Sequence, residues 1–199
     1  MNRRHFLTLV TALPLTARAL PFDREVISRL SLDKKPRSLS IRQGENVWLG
    51  YDLERATLLK VWQAPVGKPG LIKAGFATRS AGTTWFEDAS NDPWELRRGE
   101  KTLPLKVRYL GCTDQDDRID LRWELQHETG TLQLQERIPL AAAPAADRVV
   151  RELRVESLAE GDVLRPPALV REAWKHGGEP KTAAPELIGA APLRLTLPR

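Results

Sequence analysis

The sequence has one cysteine, one methionine and three histidines in 199 residues. A lone cysteine, Cys112, excludes a disulfide within the chain, a cysteine-built zinc site and the Cys-x-x-Cys-His attachment of a c-type haem. The histidines, His5, His127 and His176, never stand in His-x-x-x-His or His-Glu-x-x-His spacing, which removes the helix-borne zinc site of many hydrolases. No Gly-x-Ser-x-Gly nucleophile elbow occurs. No apolar run approaches the roughly 20 residues that a bilayer-spanning helix needs. Residues 1–19 contain no acidic residue at all.

That acid-free start reads as an address. Arg3 and Arg4 precede an apolar run from Phe6 to Leu15, and Ala17-Arg18-Ala19 supplies a small-x-small cleavage site, the pattern of a secretory signal peptide. Arg3-Arg4-His5-Phe6-Leu7 also matches the twin-arginine export pattern. An amphipathic first helix is the competing reading; the missing acids and the cleavage pattern stand against it. No cysteine follows the site, so no lipoprotein anchor is expected. The expected location is the bacterial periplasm. The net charge is +5; without Arg3, Arg4 and Arg18 it falls to +2 over the remaining 180 residues. The basic balance thus belongs largely to the leader, and nucleic-acid binding loses its main support.

Beyond the leader, apolar residues recur with period two. Leu39 and Ile41 alternate with serine and arginine; Val47, Leu49 and Tyr51 with Trp48 and Gly50; Leu59 and Val61 with Lys60 and Trp62. Leu103, Leu105, Val107 and Tyr109 lie opposite Lys106 and Arg108. Ile119, Leu121, Trp123 and Leu125, a turn at Glu128-Thr129-Gly130, then Leu132 and Leu134 predict an antiparallel hairpin with one wet face and Trp123 in the core. Val149–Val155 predicts a further strand. The pattern predicts an all-β fold, an antiparallel β-sandwich or open barrel, over residues 38–165. Residues 1–19 are the expected signal helix, and 20–37 a tether or short helix. Residues 166–199 read as an irregular proline-rich tail in which Leu193, Leu195 and Leu197 form an edge strand. Ala141–Ala146 reads as a low-complexity loop, and residues 64–82, with Gly67, Gly70, Gly75, Gly82, Pro65 and Pro69, as a surface or partner-docking loop.

The stretch from Val47 to Trp62 holds an aromatic-Asp pair, Tyr51-Asp52, then a short turn and a strand ending in tryptophan. Gly82-Thr83-Thr84-Trp85, Asp92-Pro93-Trp94, Val107-Arg108-Tyr109-Leu110-Gly111 and Arg148-Val149-Val150-Arg151 follow, with Leu158 to Gly161 after them. In this order they resemble an accessory β domain of periplasmic, cytochrome-c-linked, sugar-dehydrogenase-like bacterial proteins. The resemblance covers roughly residues 38–165. It implies a β domain beside a haem domain or propeller, with a cytochrome c or sugar-oxidising dehydrogenase as partner. Two departures matter: Ala56 stands where that group often has a turn cysteine, and no haem domain is present, so electron transfer within this chain does not carry over.

Six tryptophans outnumber four phenylalanines and two tyrosines. Trp48 and Trp62, on the parity opposite their aliphatic neighbours, are expected to share a sheet face. Trp85 and Trp94 flank the acidic loop that includes Glu87 and Asp88. With Asp52, these residues are the candidate ligand site: indole faces stack on sugar rings, and carboxylates hydrogen-bond hydroxyls. Core packing is the competing reading for each ring. Asp52 also suits a turn, its carboxylate accepting from backbone N–H groups two or three residues on. The acidic loops at 87–92 and 114–117 lack the spacing of a calcium loop. No metal or cofactor site and no catalytic residue is singled out. The reading is a non-enzymatic accessory or ligand-binding domain. The alternatives are a carbohydrate-binding module using Trp62, Trp85 and Trp94, or a carbohydrate-active enzyme whose paired carboxylates come from distant strands.

Overall fold

The alternation becomes sheet. The computed structural model describes residues 26–27, 31–44, 46–140, 148–167, 175–176, 186–189 and 191–198. Among these, all regular structure is strand. The expected signal helix at 1–19 and the Ala141–Ala146 loop lie outside the described residues.

Four sheets form. The first orders β1 (Val26–Ile27), β3 (Ser38–Gln43), β4 (Val47–Asp52), β5 (Thr57–Gln63) and β8 (Thr83–Glu87) side by side. The largest orders β11 (Lys106–Asp114), β12 (Arg118–His127), β13 (Gly130–Pro139), β14 (Arg148–Glu156), β18 (Leu193–Pro198) and β16 (Lys175–His176). A four-stranded sheet runs β10 (Lys101–Leu103), β9 (Glu95–Arg98), β15 (Asp162–Arg165) and β17 (Leu187–Ile188). The smallest holds β2 (Ser31–Leu32), β7 (Ala77–Ser80) and β6 (Leu71–Ala74). Pairing is antiparallel except between β2 and β7.

The first three sheets enclose the main core. Ile41, Leu49 and Tyr51 meet Ile119, Leu121, Trp123 and Leu134 across the sandwich, and Leu96, Leu164 and Leu187 close one side. The β12–β13 hairpin matches the expected pairing, with Trp123 opposite Leu134 and a two-residue loop at Glu128-Thr129. Its outward residues, such as Arg122, stay wet.

The first sheet is covered on its other face too. All six residues of β4 are buried. Trp48 and Trp62 are register partners, stacked with centroids 6.0 Å apart, and they pack with Leu32, Ala64 and Leu71 under the small sheet. A bulge changes the expected parity of β5. The partner of Gly50 is Lys60 and that of Tyr51 is Leu58, so Leu59 is the extra residue. Leu58 and Val61 therefore enter the main core, while Leu59 turns to the outer cluster.

Three segment boundaries move. Within 20–37, Val26–Ile27 pairs with β3 and Ser31–Leu32 with β7, so the described part is strand and turn, not helix. Residues 64–82 are not merely a loop: β6 and β7 form a hairpin within them. The tail belongs to the sandwich. β17 joins β15, and β18 pairs with β14 on one side and β16 on the other, so it is no edge at Leu195 and Thr196.

Close approach makes this covering possible. Trp62 donates its indole N–H to the Gly70 carbonyl at 2.7 Å. A Cβ on Gly70 would fall inside the Trp48 ring, and one on Gly50 would overlap Leu32. Overpacking of this kind costs about 1–3 kcal/mol. Gly70→Ala is expected to lower the urea midpoint accordingly, with tryptophan fluorescence as readout; an unchanged midpoint would show that the small sheet does not clamp the tryptophan pair.

Candidate functional site

The four candidate tryptophans divide between two apolar clusters. Trp48 and Trp62 lie in the outer cluster, and Trp94 is buried in the main core with its indole N–H donated to the Ala56 carbonyl at 3.0 Å. Trp85, the extra residue of a bulge in β8, is half-buried against the main core. The rings share no open face, so the expected stacking platform is not formed by them.

Asp52 and Asp88 do meet, around a residue the sequence did not single out. Asp52 is buried, and its Oδ1 accepts from the Glu54 N–H at 3.0 Å and the Arg55 N–H at 3.3 Å, the expected turn closure. Its Oδ2 lies 2.8 Å from Lys35 Nζ. Arg55 donates from Nη2 to Asp88 Oδ2 at 2.8 Å and to the Asp92 carbonyl at 3.1 Å, and from Nη1 to the Ser90 carbonyl at 2.7 Å. Asp88 Oδ1 also accepts from the Ser90 N–H and hydroxyl, at 2.9 and 2.7 Å. The guanidinium thus fills the acidic loop as its cation and fixes its shape. Glu87 stays exposed, 3.4 Å from Lys60 Nζ. Among the described residues no group of three or more His, Cys, Asp or Glu is placed to hold a metal ion. Asp52 lies three residues away and 4.0 Å from the Arg55 guanidinium, but nothing local signals the role of Arg55 in the acidic loop, whose partners lie 33 to 37 residues away.

Ser31-Leu32-Asp33-Lys34 has Ser-x-x-Lys spacing. It occupies a strand and a turn, with Asp33 and Lys34 at φ +48° and +72°. The two side chains therefore lack the shared helical face that i, i+3 spacing gives.

A second buried cluster crosses the sandwich. Arg151 on β14 donates from Nε and Nη2 to the two carboxylate oxygens of Glu136 on β13, both at 2.6 Å. The Tyr51 hydroxyl on β4 donates to Glu136 Oε1 at 2.5 Å, and the guanidinium lies 5.8 Å from the Tyr51 ring centre. All three side chains are fully buried. Burial, and then the Glu136 charge, push the Tyr51 hydroxyl well above its ordinary range. Burial works to lower the Arg151 value, but the Glu136 charge raises it overall. The sequence does carry this signal: Glu136 and Arg151 occupy inward positions among Leu134 and Ile138, and among Val149 and Leu153.

The described residues also form a groove of about 620 Å³, lined by Arg37, Ser38, Leu53 and Glu54 and by Val107 to Gly111 of β11. Among the described residues β11 is an edge strand. Leu110 is its extra residue, because Tyr109 pairs with Trp123 and Gly111 with Arg122. That bulge lets Val107, Tyr109 and Cys112 pack on the core while Lys106, Arg108 and Leu110 stay exposed. Arg37 pairs with Glu54 at 3.1 Å and Arg108 with Glu124 at 2.9 Å. The hydrogen bond from Arg108, and then that from Gln126, holds the Glu124 carboxyl below its usual range.

Tyr51 sets a pH dependence. Its raised folded value means its contribution is whole below about pH 10, the ordinary tyrosine value, and is lost as pH rises through the folded value. Tyr51→Phe should lose the hydrogen bond to a charged group, about 1.5–3 kcal/mol at neutral pH. Urea midpoints taken against pH should show the wild-type advantage over Tyr51→Phe shrinking in strong alkali; an advantage constant with pH would contradict the assignment.

No family model, curated protein or solved structure matches the chain.

Proposed function

We propose that this chain is an exported, non-enzymatic accessory β domain that binds a separately encoded periplasmic partner along the groove beside β11. The observation that carries the reading is that this nine-residue strand, an edge among the described residues, lines the groove through Val107 to Gly111 together with Leu53. An edge strand offers backbone donors and acceptors to an added extended segment, and pockets beside it choose the side chains. Exposed Lys106 resists pairing of two copies, since like charges would crowd one another. A segment bearing carboxylates meets no such repulsion. The partner class follows from the resemblance: a cytochrome c or a sugar-oxidising dehydrogenase.

The carbohydrate readings depended on open indole faces. With Trp62 and Trp94 buried and Trp85 half-buried against the core, no specific observation favours them.

A photo-cross-linking residue at Leu110, in the full chain exposed to periplasmic extract, is expected to capture a haem protein or dehydrogenase. The same group at Glu160, in the turn after β14 and three strands from β11, should capture about tenfold less, as a site outside the contact patch does. Equal capture at both positions, or adducts with neither protein class, would count against the proposal.

A further inference from the structure

Three of the five large apolar side chains exposed among the described residues, Val66, Ile72 and Phe76, belong to one segment, residues 64–82. That segment also carries Lys68, Lys73 and Arg79, all exposed, and has no aspartate or glutamate. Its centre is the β6–β7 hairpin. Ala74 pairs with Ala77, leaving Gly75-Phe76 as a two-residue turn with φ +63° at Gly75, the position where a type II′ turn requires glycine. The turn places no demand on its second residue for phenylalanine. The ring nonetheless stands there, 93% exposed.

The hairpin is held firmly at its other end. Leu71 and Thr78 are buried, and the Thr78 hydroxyl donates to the Ser31 carbonyl at 3.2 Å. The Asp33 carboxylate accepts from the Ser80 N–H at 2.9 Å, the Ser80 hydroxyl at 2.6 Å and Lys60 Nζ at 3.1 Å. Asp33 is the acid at this end of the hairpin, away from the turn. On the outward face Ile72 sits opposite Arg79; Lys73, the partner of buried Thr78, has the other parity but is itself exposed two residues before the turn. A fixed base, an aromatic apex and a cationic flank form one projecting unit.

We propose that this hairpin docks on an anionic phospholipid surface, with Phe76 entering the headgroup boundary and Lys68, Lys73 and Arg79 facing the lipid phosphates. Apolar insertion and electrostatic attraction act together at such surfaces, and each basic residue near an anionic leaflet adds to binding. A lipid surface suits this shape better than a protein does. A stable protein interface needs about 800 Å² on each partner, whereas a convex apex led by one ring offers far less. The docking is expected to be weak and reversible, because three cations and one ring fall short of a lasting anchor.

Flotation of the full chain with phosphatidylcholine vesicles, with and without phosphatidylglycerol, tests the proposal. Residues 1–19 are common to every variant, so the hairpin's share is the difference between variants. Phosphatidylglycerol should raise the bound fraction, and Phe76→Ser and the pair Lys73→Glu with Arg79→Glu should each lower it by about tenfold. Salt near 0.5 M should remove most of the phosphatidylglycerol effect. Phe76→Ser should keep the wild-type urea midpoint, since the ring packs on nothing that a midpoint reads. Binding that ignores phosphatidylglycerol, or that Phe76→Ser leaves unchanged, overturns the proposal. So does Phe76-dependent binding to a protein without binding to vesicles.

Discussion

A carboxylate and a guanidinium sit in the dry centre of this sandwich, and the arrangement of the two large sheets depends on them. Burying two charges costs several kcal/mol each unless geometry and further hydrogen bonds compensate. Here both carboxylate oxygens of Glu136 accept from Arg151, and Tyr51 supplies a third bond from the opposite sheet. Glu136 and Arg151 are diagonal neighbours on adjacent strands, since Glu136 pairs with Leu153 two residues on. A sheet shift that moved Tyr51 away would strand a buried charge partly unpartnered. Non-directional apolar packing tolerates small slips; the cluster does not. The Gln43 amide joins the same seam, donating to the carbonyls of Pro139 and Val150. The cluster therefore selects one way of facing the sheets, more than it adds net stability.

That lock leaves recognition to the periphery. Arg55 neutralises Asp88, Lys35 meets Asp52, and Trp48, Trp62, Trp94 and Trp123 are buried in packing. Among the described residues, the β11 groove and the β6–β7 hairpin stay open. Both follow from packing inside: the Leu110 bulge sends Val107, Tyr109 and Cys112 to the core, and the buried face of the hairpin, at Leu71, covers the tryptophan pair. The two proposals thus assign these surfaces to different kinds of partner, an extended protein segment and a lipid surface.

Much of the fold was legible from period-two alternation, because a sheet with one buried face writes its parity into the sequence. The β12–β13 hairpin and the burial of Trp123 are the clearest cases. The shared face of Trp48 and Trp62 was legible as well, but not whether that face is wet. Its cover comes from residues whose glycines and prolines read as loop, and whose strands are only four residues long. Bulges at Leu59, Trp85 and Leu110 each shift parity by one, which alternation alone cannot place. In the site, Asp52 was legible as a turn residue because its partners are two and three residues away. Arg55 was not, because its role exists only once distant loops meet. Glu136 and Arg151 stood at inward positions of neighbouring strands, so their pairing was open to inference, although only the fold shows Tyr51 joining them.

The central claim is that Glu136 and Arg151 act as one buried unit. A double-mutant cycle by urea unfolding, with Glu136→Gln, Arg151→Met and the pair, tests it most directly. Each single change leaves a buried group without its charge partner and should cost about 3–5 kcal/mol. The double variant should cost less than the two together by at least about 2 kcal/mol, as groups in one network do. Costs that add to within about 0.5 kcal/mol, the behaviour of independent sites, would contradict it.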